Sequence, residues 1–236
     1  EFTDQIKGFL PREIARRLSE KMEKLNMTAM QSMQEVLKPR ELKVACIYSD
    51  VRGFTDQTKV DGFVQSSLLP NLEAVTEAIE ENKGIPRKVG DLVFSYYDDD
   101  ELKTNIINAV KSAMRLVEIN IKHNSLQPQN LRVKRQTLLS CGTAVVGNLS
   151  SNRSAIEISA LGSPINLLSR VDEISKLENF KKEIRELDII MSEEAATQIM
   201  HLYPNIEIKK IKLESLSICI RNFPEEKNLF LLPVHE

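Results

Sequence analysis

The sequence predicts a single α+β domain whose sheet is built in the order β-α-β-β-α-β, with extra strands towards the C-terminus. Three observations predict it. Apolar, β-rich runs such as "KVACIYS" and "GIPRKVGDLVFSYYD" alternate with segments whose apolar residues recur at helical spacing. The Gly90-Asp91 pair marks a tight turn that splits the second run into two strands. Near the C-terminus, "IEIKKIKL", "SLSICIRNF" and "NLFLLPV" read as a strand meander. The order of the first six elements is the ferredoxin-like one.

The first 40 residues differ from the rest. "PREIARRLSEKMEKLNMTAMQSMQEVLK" is rich in helix formers, and Pro11 suits a first helical turn. Ile14, Leu18, Met22 and Leu25 follow at helical spacing. Two readings are open for residues 1–40: a helix packed on the main domain, or a dimeric signalling helix reaching in from an upstream module. Residues 41–236 form the domain itself.

Within the domain "KVACIYS" is a buried strand. Leu68, Leu72, Val75 and Ile79 make one face of a long helix. The hairpin at Gly90-Asp91 comes next. "DDDE", Asp98 to Glu101, reads as a solvated loop and helix start. Ile107, Val110, Met114, Val117 and Ile121 mark a second amphipathic helix. "LRVKRQTLLSCGTAVVGNL" reads as a strand, a glycine-marked break and another strand. "SPINLLSRVDEISKL" is a third helix beginning after Gly162, "ELDIIMS" a short strand and "EEAATQIM" a helix.

Composition narrows the function classes. The chain has 236 residues, 42% hydrophobic and 28% charged, ordinary values for a globular protein. A net charge of −2 gives no electrostatic case for nucleic acid or anionic membrane. With no Trp and 5% aromatics, a base-stacking surface is not expected. No apolar run reaches the ~20 residues of a membrane span, and no signal peptide is visible. The start "EFTDQ", without Met, reads as part of something longer. Cys46, Cys141 and Cys219 stand among apolar, strand-like neighbours and fit no zinc spacing, so buried reduced thiols of a cytoplasmic protein are expected. His123, His201 and His235 have no partner pattern.

Chemistry concentrates in "YSDVRGFTDQ". Asp50 closes an apolar strand, where a carboxylate needs a partner. Taken alone it caps the next helix. Yet Asp91 stands at the hairpin of two strands that a β-α-β-β sheet can lay beside the first. Two carboxylates meeting at strand ends suit a two-metal phosphate site. Between them "VRGFT" offers the backbone N–H groups of Val51 to Thr55, and Gly53 allows close approach to an anion. Farther on, "GSPINLLSR" puts Asn166 and Arg170 four apart, on one helix face.

In this order and spacing the motifs resemble the class III nucleotidyl cyclases, the adenylate and guanylate cyclases, from about Leu42 to Pro233. "YSDVRGFT" and "KVGDLVFSYY" resemble the family's two metal-aspartate motifs, "SCGTAVVGNL" its central strand-turn-strand, and "ALGSPINLLSR" its transition-state motif. "FLPREIARRL" resembles the segment that often precedes the catalytic domain.

The resemblance implies that Asp50 and Asp91 bind two Mg²⁺ or Mn²⁺ ions. It implies that Val51, Gly53, Phe54 and Thr55 cradle the β- and γ-phosphates, that Asn166 orients the ribose, and that Arg170 stabilises charge on the α-phosphate. Arg221 falls where a triphosphate-binding Lys often precedes Gly, with Asn222 in place of that Gly. It also implies a head-to-tail homodimer with shared sites, an upstream sensor domain, and a place in the cytoplasm or on the cytoplasmic side of a larger membrane protein.

The base-reading positions depart from the pattern. Arg87 stands where adenylate cyclases carry Lys, with Lys88 beside it, and the stretch from Gly84 to Gly90 is one residue short. Ser159 fills the second position, where adenylate cyclases usually carry Asp or Thr and many guanylate cyclases Cys. A hydroxyl favours ATP, whereas arginine also suits the acceptor edge of guanine. A pseudo-cyclase that only binds nucleotide or dimerises is the alternative that the altered segment favours. The four intact residues Asp50, Asp91, Asn166 and Arg170 oppose it. A diguanylate cyclase would carry a Gly-Gly-acidic hairpin where this chain has "KVGDLV".

Overall fold

The computed structural model describes residues 8–150 and 156–234; His235 lies outside them. The lead-in segment forms two helices, α1 (Arg12–Leu25) and α2 (Ala29–Val36). The single helix read from its composition is broken because Asn26 takes a left-handed conformation (φ +49°) and Thr28 starts α2 with a capping box to Gln31. Ile14 and Leu18 are buried against the domain, whereas Leu25, expected on the same face, is the last residue of the helix and is 61% exposed.

The sheet begins with β1 (Arg40–Val51). A short α3 (Phe54–Gln57) and a π-turn lead into α4 (Leu69–Glu81), then β2 (Ile85–Val89) and β3 (Leu92–Tyr97). Then come α5 (Leu102–Ser125), β4 (Arg135–Asn148), β5 (Ile158–Gly162) and α6 (Ser163–Ser175). The chain finishes with α7 (Glu178–Lys181), β6 (Ile189–Met191), α8 (Glu193–Leu202), β7 (Lys209–Lys212) and β8 (Asn228–Leu232). The strand order β2-β3-β1-β4-β6-β8-β7 contains the expected ferredoxin-like core in its first four strands, extended by C-terminal strands.

β1 and β4 pair antiparallel over their full shared length, from Arg40 opposite Val146 to Val51 opposite Arg135. On its other edge β4 takes β6 in parallel at Thr137–Leu139 and β5 antiparallel at Ala144–Asn148. Two apolar layers follow from the alternation of side chains along the strands. Ile47, Val75, Ile79, Ile106, Ala113, Leu139 and Ile199 fill the layer under α4, α5 and α8. Val44, Cys46, Tyr96, Leu138, Leu168 and Ile190 fill the other, which also takes Ile14 of α1. Burying each such aliphatic side chain stabilises by roughly 1.5–3 kcal/mol.

The predicted face of α4, Leu68, Leu72, Val75 and Ile79, is buried throughout. The face of α5 is rotated from the expected one. Small residues Ala109 and Ala113 let the helix approach the sheet, and Met114 is turned outwards. β4 is continuous; Gly142 and Gly147 sit inside it and do not break it. At Gly147 a side chain would collide with the carbonyls of Leu37 and Lys38, so the glycine makes room for the chain leaving α2.

"SLSICIRNF" is not a strand. Ser217 and Asn222 adopt left-handed conformations, the backbone turns there, and Cys219 is exposed, unlike the buried Cys46 and Cys141. Asp98 also departs from expectation. It is 4% exposed and receives Arg17 from α1, whereas Asp100 and Glu101 are exposed as a solvated loop would be. No helix among the described residues is long and apolar enough to cross a membrane.

Candidate active site

The register of β1 explains how two acids meet. β1 pairs with β4 as far as Val51 but with β3 only as far as Ser49, opposite Val93. Asp50 therefore lies one residue past the stretch paired with β3, level with the start of that strand and beside the β2–β3 turn. Gly90 makes that turn with a φ of +65°, which a side chain would strain, and Asp91 follows it.

The two carboxyl groups lie close enough for the charge of Asp50 to act on Asp91. Burial pushes the Asp91 carboxyl above its ordinary range, and the negative charge of Asp50 pushes the same way, while hydrogen bonds from the Asp91 and Val51 backbone oppose them.

Arg135 lies behind this pair. It is 4% exposed, its Nη1 donates to the carbonyls of Ser49 (2.9 Å) and Asp91 (3.4 Å), and its Nε donates to Asn71 Oδ1 (3.1 Å). It thus ties together the strand ends that carry both acids. Burial pushes the guanidinium down to about 10, and the charges of Asp50 and Asp91 pull it back up.

On the solvent side stands Lys176, one residue past α6. Its Nζ donates to Asp50 Oδ2 at 3.2 Å and to Asp172 Oδ2 at 2.7 Å. Asp172 also receives Arg52 Nη1 at 3.0 Å, and Arg52 Nη2 reaches Ser175 Oγ at the end of the same helix. Burial depresses the Lys176 amine, but its carboxylate partners outweigh that and raise it. Arg52, Arg135, Asp172 and Lys176 were not legible as site residues. The Asp172-to-Lys176 spacing of four on a helix was the one available signal.

Val51 directly follows Asp50, whereas the other predicted residues make no hydrogen bond or ion pair with either acid among the described residues. Asn166 is exposed on α6; Arg170, on the same helix, pairs with Glu173 at 2.6 Å. Neither shares a hydrogen bond or ion pair with Asp50 or Asp91 among the described residues. Val51 is buried at the end of β1; Gly53 opens α3 at a φ of +70° with its backbone exposed, Phe54 is half-buried and Thr55 exposed. Arg87 on β2 pairs with Glu157, just before β5, at 2.7 Å. Lys88 faces the other way and is exposed; Ser159 is buried in β5. Arg221 is exposed in the turn before β8.

A cavity of about 590 Å³ lies elsewhere, between α1, α2 and Asp98–Asp100, and contains none of the predicted site residues. The acids are instead half-buried at the sheet end. No group of three or more His, Cys, Asp or Glu converges among the described residues. Two hard oxygen donors fit Mg²⁺ or Mn²⁺, with the remaining ligands coming from water or phosphate.

No family model matches the chain. A curated relative, "Adenylate cyclase, terminal-differentiation specific" of Dictyostelium discoideum, is 25% identical over 140 residues, 56% of this chain. The match spans only 6% of that relative's length. Among solved structures, the adenylyl cyclase CyaB from P. aeruginosa superposes with a TM-score of 0.68 at 16% identity, over 85% of this chain and 98% of that one. The guanylate cyclase domain of RhGC from Catenaria anguillulae, in complex with GTP, gives 0.62 at 14% identity, over 84% of this chain and all of that one. A bacterial light-regulated adenylyl cyclase gives 0.61 at 12%, over 81% and 90%. The motif order and the architecture therefore agree, and the chain has the catalytic-domain fold of the class III adenylyl and guanylyl cyclases.

Proposed function

We propose that the chain is a nucleotidyl cyclase domain, converting a nucleoside triphosphate, with ATP favoured, into its 3′,5′-cyclic nucleotide and pyrophosphate. The observation that carries this reading is the meeting of Asp50 and Asp91 at adjacent strand ends, half-buried and near enough for the charge of one to act on the other. Divalent ions held by the two carboxylates, two Mg²⁺ or Mn²⁺ per site, would lower the pKa of the ribose 3′-hydroxyl and neutralise phosphate charge.

The chain's own groups do the rest. Backbone N–H groups of Val51 and Gly53 to Thr55 hold the β- and γ-phosphates. Asn166 orients the ribose, so that the 3′-oxygen lines up with the α-phosphorus. The bond from that oxygen to phosphorus forms as the bond to the β-phosphate oxygen breaks, and the hydroxyl proton leaves to solvent. Arg170 and Arg221 neutralise charge on the α-phosphate and on the departing pyrophosphate.

Asn166 and Arg170 do not meet the acids within one chain, which supports a head-to-tail homodimer with each site shared between subunits. The light-regulated and rhodopsin-fused neighbours support a sensor upstream in the full protein.

Base choice has a second reading. Glu157 beside Arg87 adds an acceptor to a donor. That pair can serve adenine, through N1 and the 6-amino group. It can also serve guanine, through O6 and N1–H, so a guanylate cyclase stands as the alternative. Product formation from ATP and from GTP, with Mg²⁺ and with Mn²⁺, tests both. Asp50→Asn and Asp91→Asn should each abolish turnover with the fold intact; either variant cycling at the parent rate overturns the metal assignment.

A further inference from the structure

We propose that Lys176 is a built-in counter-ion of the Asp50 carboxylate, which a divalent cation must displace, so that this lysine sets the metal affinity of the site. The inference rests on the reading of Asp50 and Asp91 as metal ligands.

The geometry points one way. The Lys176 ammonium lies 3.2 Å from Asp50 Oδ2, in hydrogen-bond contact with a carboxylate that would hold the metal. A divalent ion on that carboxylate would stand within several ångströms of the ammonium, and two cations so close repel. Lys176 has somewhere to go. Its stronger contact is to Asp172, at 2.7 Å, and that contact does not involve the metal ligands. Its side chain is 50% exposed, so swinging away from Asp50 meets no packed core. Asp172 stays in place because Arg52 holds its other oxygen at 3.0 Å. Lys176 therefore has two carboxylate partners in the resting chain and retains one when a cation binds.

Arg135 makes the contrast. It approaches the same acids from the buried side, fixed by three hydrogen bonds, and cannot withdraw. One cation of the site is permanent and the other exchangeable. The exchange also reaches α6, because Lys176 directly follows the helix that presents Asn166 and Arg170.

The test is Mn²⁺ binding without nucleotide, read from the free-ion signal in electron paramagnetic resonance. The proteins compared are wild type, Lys176→Met, which keeps the stem and removes the charge, and Lys176→Arg, which keeps the charge. Lys176→Met should bind Mn²⁺ about three-fold or more tightly than wild type, the scale of one partly exposed ion pair, and Lys176→Arg should stay near wild type. Equal or weaker binding by Lys176→Met overturns the proposal while leaving the metal site standing. Absence of Mn²⁺ binding in all three proteins overturns the metal site and the proposal together.

A measurement on the wild type avoids any folding effect of the substitutions. Saturating Mg²⁺ should raise the amine-labelling rate of Lys176, read by peptide mass spectrometry relative to Lys134. An unchanged ratio counts against displacement.

Discussion

Arg17 of α1 grips Asp98 at the end of β3 with two hydrogen bonds, of 2.9 and 2.6 Å. Asp98 is 4% exposed, and its other cation, Arg40, stands farther off at 3.6 Å. Arg17 also holds Glu13, at 2.8 Å. The contact fastens the lead-in helix to the strand whose opposite end follows Asp91. Arg17→Met leaves a buried carboxylate short of its main partner. The expected loss is about 3 kcal/mol of unfolding free energy, read from urea denaturation, with Lys24→Met as an exposed control. A loss below that of the control would mean that Arg40 alone suffices.

The proposed sharing of each site between two subunits makes a complementation test available. Asp50→Ala and Arg170→Ala should each be inactive alone. In a mixed dimer one site collects both lesions and the other collects neither. Mixing the two proteins should therefore restore part of the activity, and the restored rate should rise with protein concentration because assembly is bimolecular. Silence after verified subunit exchange excludes the shared site.

Arg87 and Lys88 point to opposite sides of β2, and only Arg87 faces Glu157. Arg87→Ala is expected to change the ATP/GTP ratio of kcat/KM by ~1–3 kcal/mol, the scale of a lost buried polar contact. Lys88→Ala should leave the ratio unchanged. If Lys88→Ala shifts it and Arg87→Ala does not, the base lies on the other face of the strand.

Glu226 supplies a pH dependence. Burial raises its carboxyl above the ordinary 4.5, and the nearby Glu193, Glu225 and Glu194 push it the same way against a hydrogen bond from the Glu193 backbone. The folded chain then binds this proton more tightly than the unfolded chain. The stability it contributes is present below the ordinary value and is lost as pH rises through the raised one. Glu226→Gln removes that loss. The variant should be more stable than wild type at pH 7, and the gap should close as pH falls below 4.5, measured by urea denaturation across pH. A gap independent of pH would rule the titration out.

Gly162 lies where β5 hands over to α6. A Cβ there would stand 2.8 Å from the Thr143 carbonyl and 2.9 Å from Ala144 Cα, both backbone atoms that cannot give way. Gly162→Ala should cost roughly 1–3 kcal/mol, as overpacking does. It should also reduce turnover beyond what stability explains, since it shifts the helix that carries Asn166 and Arg170. Wild-type unfolding with wild-type kinetics would show that the strand separates freely.

The sequence by itself determined the order of the core elements, the turn at Gly90-Asp91, and the meeting of Asp50 with Asp91. Each depends on local physics: a period of two or of 3.6, a glycine able to take a positive φ, and a hairpin register that the turn fixes. Local signals also misled. Asp98 stands in a run of acids and looks solvated, yet it is buried because Arg17, 81 residues away, pairs with it. The apolar neighbours of Cys219 suggest a strand, but left-handed turns at Ser217 and Asn222 leave it exposed. Met114 matches the helical period, but the tight approach of Ala109 and Ala113 to the sheet turns it outwards. Only the tertiary structure decided the charges around the site. Lys176 reaches Asp50 across 126 residues of chain, and Arg135 comes under both acids because β4 runs beside β1. A charge interacts with whatever the fold brings within a few ångströms, and that neighbour is set by strand order and helix docking, which leave no mark on the residues adjacent in sequence.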